Sequence, residues 1–140
     1  MIQLVILDTG PLVAALKKRD AYHQWVREQL SDIACPMLTC ESVISETLFL
    51  LKDTPNSLEQ LIGLVNKGIL EVQFNLGGEF EHVAYLLAKY QSVPMSLADA
   101  CLVRMAERFP NHKLLTFDSD FQVYRKNRNQ QITLIMPGRR

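Results

Sequence analysis

The chain has 140 residues, 48% hydrophobic and 21% charged, with 15 basic side chains balancing 15 acidic ones. That length suffices for one domain with its own core, and the composition excludes a disordered, collagen-like or low-complexity chain. A formal net charge of zero excludes recruitment to nucleic acid or an anionic membrane by a global field, so any polyanion partner must meet a local patch.

The apolar run Ile2–Leu7 predicts a strand buried on both faces of a parallel sheet. Asp8 ends it, and Gly10 and Pro11 open a helix that continues through "LVAALKK". The stretch has no positive leader region and is interrupted by a carboxylate, which argues against a secretory signal. No other run reaches the roughly 20 apolar residues needed to span a bilayer. A soluble, cytoplasmic protein with no membrane partner is therefore expected.

A second helix is expected over Tyr22–Leu30, with Tyr22 and Trp25 packing it. Pro36–Leu38 gives a short second strand, and Thr39 is a candidate N-cap for the helical run from Cys40 to Asp53, which Pro55 ends. Apolar residues fall on nearly every face of that run. The helix is thus expected to be mostly buried and its Glu46 poorly solvated. "SLEQLIGLVNKG" predicts a helix with Gly68 at its C-cap, followed by a strand at "ILEVQF". After Gly77 and Gly78, "EFEHVAYLLAKYQ" reads as an amphipathic helix presenting Phe80, Val83, Ala84 and Leu87 on one face. Pro94 separates it from a helix over Ser96–Arg108. "HKLLTF" is a strand, "DSDFQVYRK" a loop with a short helix, and "ITLIM" the last strand. Strands alternating with helices predict an α/β fold, with a parallel sheet covered by helices on both sides and a single domain over residues 1–140.

Cys35, Cys40 and Cys101 are odd in number and lack C-x-x-C spacing, so they read as buried thiols in a reducing compartment. His23, His82 and His112 are scattered without ligand spacing.

In open parallel sheets, functional groups gather beyond the carboxyl ends of the strands, near a reversal of strand order. Asp8 and Asp118 each follow a strand and so reach that edge, with Asp120 two residues further on. Asp99 lies in the first turn of a helix behind Ser96. If Asp8, Glu46, Asp99 and Asp118 converge, each pair at roughly 5 Å repels by about 3 kcal/mol at an effective dielectric of about 20. Several such pairs would threaten a fold worth only about 5–15 kcal/mol. The cluster must take up protons, attract cations, or not form. An all-oxygen set suits a hard divalent ion, which can orient and acidify a water and neutralise a phosphate transition state. Each acid also has a local structural use. Asp8 can cap a helix or favour a turn, Asp99 with Ser96 fits a capping box, and Asp118 with Asp120 can shape an Asx turn. Glu46 can sit on a solvent stripe with Ser42 and Asp53.

Four stretches in order, "LDTGPLVAAL", "SVISETLFLL", "SLADACLV" and "LLTFDSDF", make the chain resemble a PIN-domain ribonuclease of the VapC-like kind over essentially its whole length. The resemblance implies a three-layer fold with a five-stranded parallel sheet, and an acidic site for Mg2+ or Mn2+ made by Asp8, Glu46, Asp99 and Asp118. Asp120 matches a more variable position. Thr9 and Thr116, like Ser96, stand beside the acids, where a hydroxyl can hold a carboxylate or a water. The implied activity is metal-dependent endonucleolytic cleavage of single-stranded RNA. Implied partners are an antitoxin seated in a groove of the first helices and a second copy of the chain in a homodimer.

Other readings of the same residues fare worse. "DSDFQV" resembles a calcium loop, but Gln122 and Val123 stand where a ligand and a glycine are needed. Phosphatases with an aspartyl nucleophile need a second acid where Gly10 stands, and a receiver domain needs a paired acid before its first helix. The alternative from another class is a noncatalytic module of the same fold that binds RNA or protein. Two basic clusters are candidate RNA contacts flanking the acidic edge. One is Lys17, Lys18 and Arg19; the other is Arg125, Lys126 and Arg128, with Tyr124 alongside.

Overall fold

The computed structural model describes residues 2–138; Met1 and residues 139–140, at the ends of the expected domain, lie outside the described residues. The first strand, β1 (Val5–Leu7), is buried throughout. It is shorter than the apolar run that encodes it. The neighbouring strand β4 (Lys113–Leu115) begins opposite Val5, and Ile2 is left 72% exposed.

Helices α1 (Thr9–Leu16) and α2 (His23–Leu30) lead to β2 (Met37–Thr39). Then α3 (Glu41–Leu50) and α4 (Ser57–Asn66) lead to β3 (Leu70–Val72), and α5 (Leu76–Lys89) and α6 (Leu97–Arg108) to β4. A 3-10 turn, η1 (Ser119–Gln122), precedes a small antiparallel pair, β5 (Arg125–Lys126) and β6 (Gln130–Gln131), and the last strand, β7 (Leu134–Ile135). Strands β3-β2-β1-β4-β7 form one parallel sheet of five in that order. The chain steps outward from β1 to β3, then crosses back to β4 on the other side of β1. Strand order therefore reverses between β1 and β4. Right-handed crossovers put α1, α2 and α4 over one face and α5 and α6 over the other, in keeping with the packing of α1 on α2 and α4, and of α5 on α6. Helix α3 touches both α1 and α6.

The core follows from the pattern. The central strand β1 is continuously apolar, β2 is buried throughout, β4 buries Leu114 and Leu115, and α6 buries Ala98, Ala100, Cys101, Leu102, Val103, Met105 and Ala106. Its small residues let the helix lie close to the sheet.

Several expectations are corrected. Helix α1 starts at Thr9, with Asp8 as N-cap, so Pro11 stands inside its first turn. Thr39 belongs to β2, and its hydroxyl donates to the Leu7 carbonyl at 2.8 Å; Cys40 is the N-cap of α3. Helix α3 is not mostly buried: only Val43 and Thr47 are, and Phe49 is 65% exposed. Glu46 is correspondingly exposed. Helix α5 begins at Leu76 and absorbs both glycines. Its buried face is Val83, Leu86 and Tyr90, while Phe80 and Ala84 point outward. Cys40 and Cys101 are buried as expected, but Cys35 is exposed. No β5–β6 pair is legible in the sequence, since its strands have two residues each and its turn depends on positive φ at Asn127 and Arg128.

Candidate active site

The site is built on the strand reversal. β1 and β4 are in register, Leu7 opposite Leu115, and the Asp8 amide donates to the Leu115 carbonyl at 3.1 Å. The residues that follow these two strands therefore leave the sheet side by side. Asp8 is only 8% exposed. One of its oxygens accepts from the Thr9 amide at 2.7 Å, and the other from the Thr116 hydroxyl at 2.6 Å. The Thr116 hydroxyl in turn accepts from the Asp118 amide at 3.0 Å, so one side chain ties together the ends of both strands. The Thr9 hydroxyl donates to Glu46 at 2.8 Å, bringing in α3 across 37 residues of sequence.

Asp99 and Asp118 also fill the local roles open to them. Ser96 and Asp99 form a complete capping box at α6, with both bonds at 3.0 Å. Asp118 accepts from the Asp120 amide at 2.9 Å and starts η1. Capping consumes only part of each carboxylate.

Asp8, Glu46, Asp99 and Asp118 line one cavity of about 390 Å³ together with Thr9, Gly10, Ser96 and Phe117. Among the described residues no lysine or arginine lines it, and no salt bridge involves any of the four acids. Burial, helped by the charges of Asp99 and Asp118, pushes the Asp8 carboxyl up to about 6 against the hydrogen bonds from Thr116 and Thr9. Asp99 is raised as well, first by burial and then by Asp118 and Glu46. These carboxylates feel one another and lack compensation.

The expectation that they meet at one point is corrected in its detail. Among the described residues, no three Asp, Glu, His or Cys side chains stand close enough to share an ion. The acids border a common cavity without closing on a single point. The donor set nevertheless suits a hard divalent cation: it is all oxygen, excess in negative charge and held by hydroxyls and amides from behind. Asp120 does not line the cavity.

The basic clusters lie elsewhere. Lys17, Lys18 and Arg19 follow the C-terminus of α1, whose N-terminus carries Asp8, so about 12 Å of helix separates them. Arg125 donates to the carbonyls of Gln122, Val123 and Tyr124. Lys126 pairs with Gln130 in the β5–β6 ribbon, and Arg128 faces the α5–α6 side beside Glu81 and Glu107. Tyr124 is fully buried, donating its hydroxyl to the Pro94 carbonyl. Neither cluster borders the acidic cavity. Sequence reasoning missed two cavity residues, Gly10 and Phe117. A Cβ on Gly10 would lie 2.9 Å from the Phe117 ring, so the glycine makes room for the aromatic. The signal was present in the sequence, since Phe117 stands between Thr116 and Asp118.

Comparison with known proteins gives a consistent result. Ribonuclease VapC26 of Mycobacterium tuberculosis is 27% identical over 116 residues, covering 81% of this chain and 86% of that protein. The crystal structure of VapC20 from Mycobacterium tuberculosis, described as a sarcin-ricin loop cleaving toxin, superposes with a TM-score of 0.72 at 17% identity, covering 85% of this chain and 93% of the other. VapBC2 from Rickettsia felis, bound to a promoter DNA fragment, superposes at 0.60 with 16% identity, covering 96% and 98%. The sequence profile of the PIN domain matches residues 5–127, and the chain belongs to the PIN-domain family.

Proposed function

We propose that the chain, as a single domain over residues 1–140, is a divalent-metal-dependent endoribonuclease that cuts phosphodiester bonds of single-stranded RNA. Asp8, Glu46, Asp99 and Asp118 would hold Mg2+ or Mn2+. Such an ion supplies an activated water and charge neutralisation at the phosphate. The protein's own contribution is orientation: Thr116 and the Thr9 amide fix both oxygens of Asp8, the Thr9 hydroxyl fixes Glu46, and Ser96 fixes Asp99. The observation that carries the reading is four carboxylates around one cavity with no cationic side chain among its lining residues. A purely structural acid cluster of this kind would cost stability with nothing to offset it.

The toxin half of a toxin–antitoxin pair, in a cytoplasmic setting, is part of the same reading. Among the described residues no helix is long and apolar enough to cross a membrane. A groove of about 600 Å³ between α1, α2 and α4 is lined by apolar Leu16 and Leu64 and by three cations, Lys18, Arg27 and Lys67, against one acid, Glu59. It suits an antitoxin segment with apolar anchors and acidic flanks. A homodimer is the state expected of the free toxin.

Incubating the purified chain with total RNA and Mg2+ or Mn2+, and sequencing the fragments, tests the activity. Discrete cuts that vanish with chelator are expected. RNA left intact at every metal concentration would leave only a noncatalytic binding module.

A further inference from the structure

A nuclease must seat the nucleotides next to the bond it cuts, and neither basic cluster borders this cavity. Apart from acids and small residues, the cavity lining consists of Phe117. Phe117 is half-buried and does not stand alone. The Tyr22 ring lies 4.7 Å away at 37°, and the Trp25 ring 6.0 Å away at 60°. Tyr22, at the start of α2, is 39% exposed and is anchored by its amide, which donates to Asp20 at 2.8 Å. Gly10, having no Cβ, lets the Phe117 ring lie against the start of α1.

Phe117 is also fixed along the chain. Its predecessor Thr116 holds Asp8, and its successor Asp118 lines the cavity. A ring set between these two residues keeps a constant position relative to the carboxylates. Unpaired bases stack on aromatic faces whatever their sequence, which suits a negative site poor in cations.

We propose that Phe117, backed by Tyr22 and Trp25, is a stacking platform for an unpaired nucleobase flanking the phosphate that is cut. The inference rests on the proposed nuclease reading and names the feature that positions its substrate. Position along the strand is then set by ring stacking at the cavity rim, and the remote basic clusters contribute at most general attraction.

The experiment uses a short oligoribonucleotide that the wild-type chain cuts, followed under single-turnover conditions. Phe117→Leu keeps apolar volume and removes the aromatic face. It should raise the RNA concentration for half-maximal rate by about 5- to 150-fold, the equivalent of one base–aromatic stack, while the rise in melting temperature caused by Mn2+ stays as in wild type. Replacing single nucleotides by abasic ones should find one position beside the cut where wild type loses a similar factor and Phe117→Leu loses nothing more. Tyr22→Leu, at a more exposed position, should show a smaller loss of the same kind. A Phe117→Leu variant that handles intact RNA like wild type, or that loses equally on the abasic substrate, overturns the platform alone. A wild-type chain that neither cuts RNA nor responds to Mn2+ overturns the nuclease reading and the platform together.

Discussion

Two clusters of ionisable side chains in this molecule are built on opposite plans. On the α5–α6 face, Arg104 pairs with Glu79 and with Glu107, Arg108 reaches Glu79 at 3.1 Å, and the Asn127 amide donates to Glu107 at 2.6 Å. The Arg104 hydrogen bond holds Glu79 below the usual carboxylate range. Arg104, Arg108, Glu79 and Glu107 all find their partners inside the chain, as expected of groups whose task is to join two helices. At the strand reversal, four carboxylates share a cavity that no arginine or lysine among the described residues lines, and the Asp8 carboxyl is driven up to about 6. Folding completes the first cluster. The second has no such partner among the residues that line its cavity, and on the proposed reading something positive from outside completes it.

Asp8→Asn draws that contrast most sharply. Metal-dependent RNA cleavage should fall by on the order of 100- to 1,000-fold, the scale of losing one electrostatic contact in a transition state. The metal-free chain should be no less stable than wild type near neutral pH, because a desolvated charge has been removed. Equal activity of the variant would break the assignment.

The pH dependence comes next in size. The folded-state pKa of Asp8 is about 6 against an ordinary value of 3.8, so the folded chain binds more protons than the unfolded one between those limits. Stability of the metal-free chain should therefore fall as pH rises from about 4 to about 6, by at most about 3 kcal/mol from this group. Asp8→Asn should flatten that slope. Urea unfolding at several pH values with chelator present measures both, and a stability that rises over this window in wild type and variant alike would contradict the assignment.

The paired cluster should respond in the other direction. Arg104→Met leaves Glu79 and Glu107 short of a donor and should destabilise the chain by about 1–2 kcal/mol, with RNA cleavage unchanged at temperatures where the variant is folded. A selective loss of cleavage would blur the division between the two regions. The smallest effect belongs to Ser96→Ala, which removes half of the α6 capping box. It should cost about 1 kcal/mol in urea unfolding and leave Mn2+ affinity near that of wild type, because the Ser96 amide that holds the Asp99 carboxylate is retained. A large loss of metal affinity would mean that the carboxylate depends on the Ser96 hydroxyl for its place in the cavity.

The parts of this arrangement that were legible in the sequence are those governed by local chemistry. A β-branched apolar run ending in Asp8, the Ser96–Asp99 spacing, and Thr116 and Asp118 after "KLL" each state where an element ends. Strand ends in a parallel sheet come together whatever the details of the helices. Glu46 was harder. Leu48, Phe49 and Leu50 look like core residues, yet each is at least 37% exposed; the side of a helix that meets the sheet is decided by tertiary packing, which composition does not encode. The same limit applies to α5, where Phe80 was expected inward and Leu86 took its place. The basic clusters misled because nearness in sequence to an acidic edge says nothing about direction. A helix of eight residues carries Lys17–Arg19 away from Asp8. Phe117 was legible as a cavity residue from its place between Thr116 and Asp118, but its ring partners Tyr22 and Trp25 lie some 90 residues earlier, and only the fold brings the three together.

The most direct test of the central claim is a calorimetric titration of Mn2+ into the metal-free chain at neutral pH, repeated with Asp8→Asn. Saturable binding to the wild type, with a melting temperature that climbs with metal concentration, and loss of both in the variant are the predicted results. A wild-type chain indifferent to Mn2+, or a variant that binds it equally well, would contradict the claim that these carboxylates are arranged around an external cation.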